Sequence, residues 1–163
     1  MIVRKIINKD KYWLKNQIIK EWGSTRIVTR GKIYEIENLQ GIIAEESGNK
    51  KGVITYHVKN NECEIITLNT MQQNKGIGTT LLQELIKKAR EYNWNRIWCI
   101  TTNDNTNALR FYQKKGFILK AIYPNTIRES RKLKPKIPLI GENGIPIRDE
   151  IEVELKVSLN RKL

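Results

Sequence analysis

The sequence predicts an α+β fold, and three observations carry that expectation. Between residues 39 and 68, three apolar runs are separated by short polar turns at 46–49 and 59–62, the pattern of an antiparallel meander. From 63 to 101 the pattern becomes strand, helix, strand, a βαβ unit whose two strands should be parallel neighbours. The chain has 163 residues with no linker composition and no internal repeat, so one domain over 1–163 with one core is expected.

Taken in order, Asp10 is placed to cap a first helix that runs through Trp22 and stops at Gly23. Leu14, Ile18 and Trp22 give it an apolar stripe. A polar, turn-rich stretch follows to residue 38. Strands are expected over 39–44, 52–58 and 63–68. The next helix, 79–92, places Leu81, Leu82, Leu85, Ile86 and Ala89 on one face, and Lys87, Lys88 and Arg90 suit its C-terminal dipole. The apolar run 96–101 reads as a strand covered on both faces. A helix from Asn105 ends at Gly116, with Asp104 as its expected cap. Strand 117–123 follows, and then a Pro-, Gly- and base-rich segment, 124–148, that should mix a short helix with loop. Ile151, Val153, Leu155 and Val157 alternate with Glu152, Glu154 and Lys156, so the last strand is expected to have one wet face.

Composition narrows the function classes. The hydrophobic fraction of 39% suffices for a packed core. No apolar run is long enough to span a membrane, and the N-terminus lacks a signal peptide's apolar stretch, so a cytoplasmic protein is expected. Cys63 and Cys99 have no metal-spaced partners and read as buried thiols. The net charge of +13 favours an anionic partner: a nucleic acid, an acidic macromolecule or a phosphorylated small molecule. Lys and Arg are spread along the chain and no nucleic-acid-binding motif is present, which argues against nucleic acid.

The stretch Gln73-Asn74-Lys75-Gly76-Ile77-Gly78-Thr79 joins a strand to a helix N-terminus. Unpaired N–H groups and a partial positive charge bind phosphate there, and glycine lets the backbone come close. A dinucleotide fold needs a third glycine and a Walker loop needs Gly-Lys-Ser/Thr; both are absent. Downstream come Asn105, Ala108, Phe111-Tyr112 and Gly116-Phe117.

Together, Gln73, Gly76, Gly78 and that second set resemble the GNAT superfamily of N-acetyltransferases, most strongly over residues 63–118. The resemblance implies layered α/β/α architecture, with six to seven strands and a central splayed parallel pair. It implies acetyl-CoA as cofactor. Backbone groups of Leu68 and Thr70 would pair with the pantetheine arm. Amides of Gln73, Lys75, Gly76, Gly78 and Thr79 would hold the diphosphate, and Asn105 would bond the arm. Asn69, Asn74, Ile77, Ala108 and Tyr112 complete the cofactor-binding set. The stretch 69–72 lacks the proline often seen in the family.

The implied reaction is direct attack of a primary amine on the thioester in a ternary complex. It needs a base, an oxyanion donor and an acid. Glu64, or a water it binds, is the candidate base, expected on one face with Ile66 and Leu68; Glu62 is a weaker choice. The resemblance makes the Leu68 N–H the donor and Tyr112 the acid. His57, the one histidine, reads as structural. Partners are a small-molecule or peptide amine, and a homodimer is left open. The acceptor should be set by 22–32 and 124–148, with Glu62, Glu64 and Asp104 as an acidic patch. The competing reading is a non-catalytic acetyl-CoA-sensing or nucleic-acid-associated module.

Overall fold

The computed structural model describes residues 1–72 and 75–157. In chain order these form β1 (Ile2–Lys5), α1 (Lys11–Trp22), β2 (Arg26–Thr29), β3 (Lys32–Glu35), β4 (Gln40–Glu46), β5 (Asn49–Lys59) and β6 (Glu62–Thr70). Then follow α2 (Ile77–Glu91), β7 (Arg96–Thr102), α3 (Thr106–Lys114), β8 (Ile118–Tyr123), α4 (Ile127–Leu133) and β9 (Glu150–Lys156). Seven strands make a mixed, mostly antiparallel sheet in the order β1-β4-β5-β6-β7-β9-β8, and β2 with β3 makes a separate hairpin. The chain divides into two compact units: residues 1–27 and 34–97 with Val157, and residues 28–33 and 98–156.

In the first unit the meander forms as expected, with β4, β5 and β6 antiparallel. Its turns place Ser47 and Gly48, then Asn60 and Asn61, at φ between 51° and 76°. Two left-handed residues in succession match the strand twist of a two-residue hairpin. On β5, Val53, Thr55 and His57 line one face, and Ile54, Tyr56 and Val58 the other. Helix α1 covers the first: Leu14 and Ile18 pack with Ile27, Ile36, Ile43, Val53 and Ile66. Helix α2 covers the second: a Cβ on Gly52 would stand 2.8 Å from Ile77 Cγ2 and 3.2 Å from Leu81 Cδ1.

Strand β6 carries a bulge. Thr67 lies opposite Thr55 but Ile65 lies opposite Tyr56, leaving Ile66 as the extra residue. The bulge puts Glu64, Ile66, Thr67 and Asn69 on the α1 side. Leu68 falls on the α2 side, so the expected sharing of a face by Glu64 and Leu68 does not hold. No glycine or proline marks the bulge in the sequence. Beside the start of β6, Asn95 N–H donates to Asn61 O at 2.7 Å and Arg96 Nε lies 2.9 Å from Glu62 Oε2. Strands β6 and β7 therefore begin at the same end, as a parallel pair joined through α2 requires.

Gly23, at φ 73°, ends α1 as expected, but Trp22 is 42% exposed and leaves the stripe. Asp10 stands at the N-cap position of α1, as expected, but its carboxylate makes no cap bond to the helix. Its carboxylate accepts from Arg4 Nη1 at 2.6 Å, Arg4 Nη2 at 2.9 Å and Ile7 N–H at 2.9 Å. Arg4 stands on β1, a strand not expected from the sequence, and also pairs with Glu45 at 2.5 Å. The turn-rich stretch before residue 38 contains the β2–β3 hairpin, reversed at Arg30 (φ 48°) and Gly31 (φ 70°).

In the second unit, β8 and β9 are antiparallel. The expected wet face of β9 is buried: Glu150, Glu152 and Glu154 are 2%, 8% and 3% exposed. Each has a polar partner, as burial of charge demands. Glu150 accepts from Arg30 N–H at 3.0 Å, Glu152 from the Tyr123 hydroxyl at 2.7 Å, and Glu154 lies 3.5 Å from Lys120 Nζ. Burial along β7 alternates, so the expectation of full coverage on both faces is also corrected. The 124–148 segment holds α4 plus loop, as expected, and Arg131 ties the loop down by donating to the carbonyls of Ile137, Pro138 and Ile147.

Candidate functional site

Helix α2 begins at Gly76, whose φ of 75° permits the tight entry and whose missing side chain leaves the first turn without a side-chain cap among the described residues. The N–H groups at a helix start have no intrahelical partner. No acidic side chain lies in that turn, and a Cβ at Gly76 would meet nothing within 4 Å. An anion such as a diphosphate fits this end on charge and on space. Lys75 is exposed beside it, while Gly78 and Thr79 are half-buried. Ile77 packs its side chain inward at 5% exposure, leaving only its amide available. Gln73 and Asn74 lie outside the described residues.

At the end of β6, Leu68 pairs with Ile54 and Thr70 with Gly52. The Asn69 side chain turns to the α1 face and donates from Nδ2 to Glu21. Glu64 is 4% exposed and accepts a hydrogen bond from the Tyr34 hydroxyl at 2.7 Å. Burial, then this carboxylate, pushes the Tyr34 hydroxyl pKa upward, so it holds its proton. His57 lies opposite Glu64 on β5, exposed, with its ring 5.5 Å from that of Tyr34. Glu62 shares Glu64's face and is engaged by Arg96.

In the second unit, Asn105 caps α3, its Oδ1 accepting from Ala108 N–H at 3.0 Å. The expected cap, Asp104, instead accepts from Glu142 N–H at 3.3 Å. It packs so closely on Gly141 that a Cβ there would collide with its carboxylate. Tyr112 is 6% exposed, ringed by Phe111 at 5.2 Å and Phe117 at 5.1 Å. Burial, then the neighbouring Cys99, raises its pKa, so the hydroxyl stays protonated. Cys63 and Cys99 are both buried free thiols, as expected.

A sequence profile of the acetyltransferase (GNAT) family matches residues 8–117. The chain belongs to the GNAT acetyltransferase family. This GNAT chain is 46% identical over 142 residues to the uncharacterized protein YdhI of Bacillus subtilis (strain 168), covering 86% of this chain and 89% of that one. Its fold matches a Bacillus subtilis acetyltransferase in complex with CoA, with TM-score 0.70, 23% identity and coverage of 96% and 98%. It also matches a GNAT acetyltransferase from Elizabethkingia anophelis with acetyl-CoA bound, with TM-score 0.68, 22% identity and coverage of 95% and 97%. As a member of an acetyltransferase family the chain is an acyltransferase enzyme. Gly76, Gly78, Asn105 and Tyr112 all fall inside the matched span. Sequence reasoning missed Tyr34, which lies in a stretch read as loop. The signal was present in the alternation of Ile27 and Thr29 and in the Arg30-Gly31 turn pair. Among the described residues no helix is long and apolar enough to cross a membrane.

Proposed function

We propose that this protein is an N-acetyltransferase that transfers the acetyl group of acetyl-CoA to a primary amine by direct attack in a ternary complex. The observation that carries the reading is the start of α2, where a left-handed glycine and a first turn with no side-chain cap among the described residues suit a diphosphate. The amides of Lys75, Gly76, Ile77, Gly78 and Thr79 would hold that diphosphate, joined by Gln73 and Asn74. Leu68 and Thr70 through their backbone, with Asn69, Asn105 and Ala108, would hold the pantetheine arm. When bound, acetyl-CoA would supply a thioester carbonyl from which an amine can displace the CoA thiolate.

The chain's own residues then have three tasks. Glu64, directly or through a water, takes a proton from the amine. The Leu68 N–H steadies the developing negative oxygen. Tyr112, kept protonated by its burial, gives its proton to the departing sulfur. The absence of a membrane-spanning helix among the described residues and the buried free thiols support a cytoplasmic site of action.

Calorimetric titration with CoA, and thiol release from acetyl-CoA with a panel of amines, test the reading directly. Tyr112→Phe should lower turnover about 10- to 1000-fold with CoA affinity kept. A folded protein that binds neither CoA nor acetyl-CoA would overturn the assignment, and unchanged turnover would remove Tyr112 from the mechanism.

A further inference from the structure

We propose that Tyr34 is a positioning residue for the reaction, its hydroxyl holding the Glu64 carboxylate in the orientation and charge state of a working base. The proposal rests on the reading of Glu64 as the base. It also stands on geometry that the sequence did not reveal. Three side chains of the first unit meet at one point: β3 brings Tyr34, β5 brings His57 and β6 brings Glu64. The hydroxyl donates to Oε2 at 2.7 Å, a length typical of a strong bond to a charged acceptor. The Tyr34 ring is itself fixed, packed against the core that contains Leu14, Ile43 and Ile66 and tilted against His57 at 5.5 Å. A carboxylate on a flexible stem, 4% exposed, is thereby tied to a rigid aromatic frame.

Ionisable groups stand beside Glu64 on three strands. On β3 stands the Tyr34 phenol. On β5 stands His57, directly opposite. On β6 itself, Cys63 points to the other face with its thiol pKa raised by burial and then by Glu64, so it stays neutral. Glu62 shares the face of Glu64 but is taken by Arg96 of β7 at 2.9 Å. A donor to the ionised form favours that form. Removing it must raise the Glu64 pKa, and the acidic limb of kcat/KM for the amine must move to higher pH with it.

Tyr34→Phe keeps the ring and deletes only the hydroxyl, and circular dichroism with a thermal midpoint confirms the fold. Two readouts are used. In protein labelled at the Glu side-chain carboxyl carbon, with the Glu64 signal assigned by its loss in Glu64→Gln, Tyr34→Phe should raise the Glu64 titration midpoint by about one pH unit. In steady-state assays it should lower kcat/KM for the amine about tenfold below neutral pH and shift the acidic limb equally, leaving KM for acetyl-CoA unchanged. In the Glu64→Gln background the same change should have no further kinetic effect. An unmoved Glu64 titration overturns the positioning role even if Glu64→Gln cripples the enzyme. A moved titration with an unmoved kinetic limb overturns the reading of Glu64 as base, and the role of Tyr34 in the reaction falls with it.

Discussion

The two faces of the meander are held to their helices by different physics. On the α2 side, Ile77, Leu81, Leu82, Leu85 and Ala89 bury an aliphatic stripe against a strand surface that includes Gly52. On the α1 side, Leu14 and Ile18 supply the apolar core, but polar groups surround it: Arg4 with Asp10 and Glu45, Asn69 with Glu21, Thr55 with Thr67, and Tyr34 with Glu64. Aliphatic burial is non-directional and insensitive to pH, which suits a helix whose N-terminal amides are proposed to hold a diphosphate. Hydrogen-bonded carboxylates are directional and titratable, which suits a face proposed to carry the proton acceptor. The contrast makes separable claims about what disturbs each face.

The largest expected effect lies on the α2 side. Leu81 is fully buried, and Leu81→Ala should cost about 3 kcal/mol through lost transfer energy and the cavity left behind. Urea denaturation at several pH values should give the same loss throughout. A loss below about 1 kcal/mol would mean that α2 collapses onto the gap and that its seat is not rigid.

Arg4→Met should give a loss of similar size at neutral pH, about 3 kcal/mol, because Asp10 would remain buried with Lys50, at 3.5 Å, as its remaining cation among the described residues. Here the pH dependence must differ. Arg4 first of all holds the Asp10 carboxyl below the ordinary carboxylate range. A depressed folded-state pKa contributes stability above the unfolded value of about 3.9, and that contribution is lost as pH falls toward the folded value. Wild-type stability should therefore decline below about pH 4, and the variant should decline less. Parallel curves would show that the pair contributes nothing through linkage.

The α2 face was legible in the sequence because its information is periodic. Leu81, Leu82, Leu85 and Ala89 repeat at helical spacing, Gly76 and Gly78 mark the entry, and the structure buries those side chains and puts Gly76 at positive φ. The α1 face was legible only in part, because its information lies in pairings. Arg4 and Asp10 are near in sequence, but Glu45 is a strand apart and no pattern announces the triad. Alternation failed on β9 for the same reason. Glu150, Glu152 and Glu154 look solvated by type, yet Arg30, Tyr123 and Lys120 from other elements allow their burial. The glycine entry to α2 and the place of Tyr112 on α3 could be read from the chain alone. The contact of Tyr34 with Glu64 could not, since it required the register of β5 on β6 and the existence of β3.

The smallest effect expected is the sharpest test of that register. Thr55 and Thr67 bring their hydroxyls to 2.8 Å in a buried position only because the bulge at Ile66 puts them opposite one another. Thr67→Val alone should cost about 1–2 kcal/mol, since it strands a buried Thr55 hydroxyl without its partner. Thr55→Val with Thr67→Val removes both polar groups at nearly constant shape and should return to within about 0.5 kcal/mol of wild type. A double variant weaker than either single one would place the two hydroxyls apart. Without the bulge Thr67 would move to the α2 face and Glu64 would share a face with Leu68. The same measurement therefore decides whether Leu68 lies on the opposite face of β6 from Glu64.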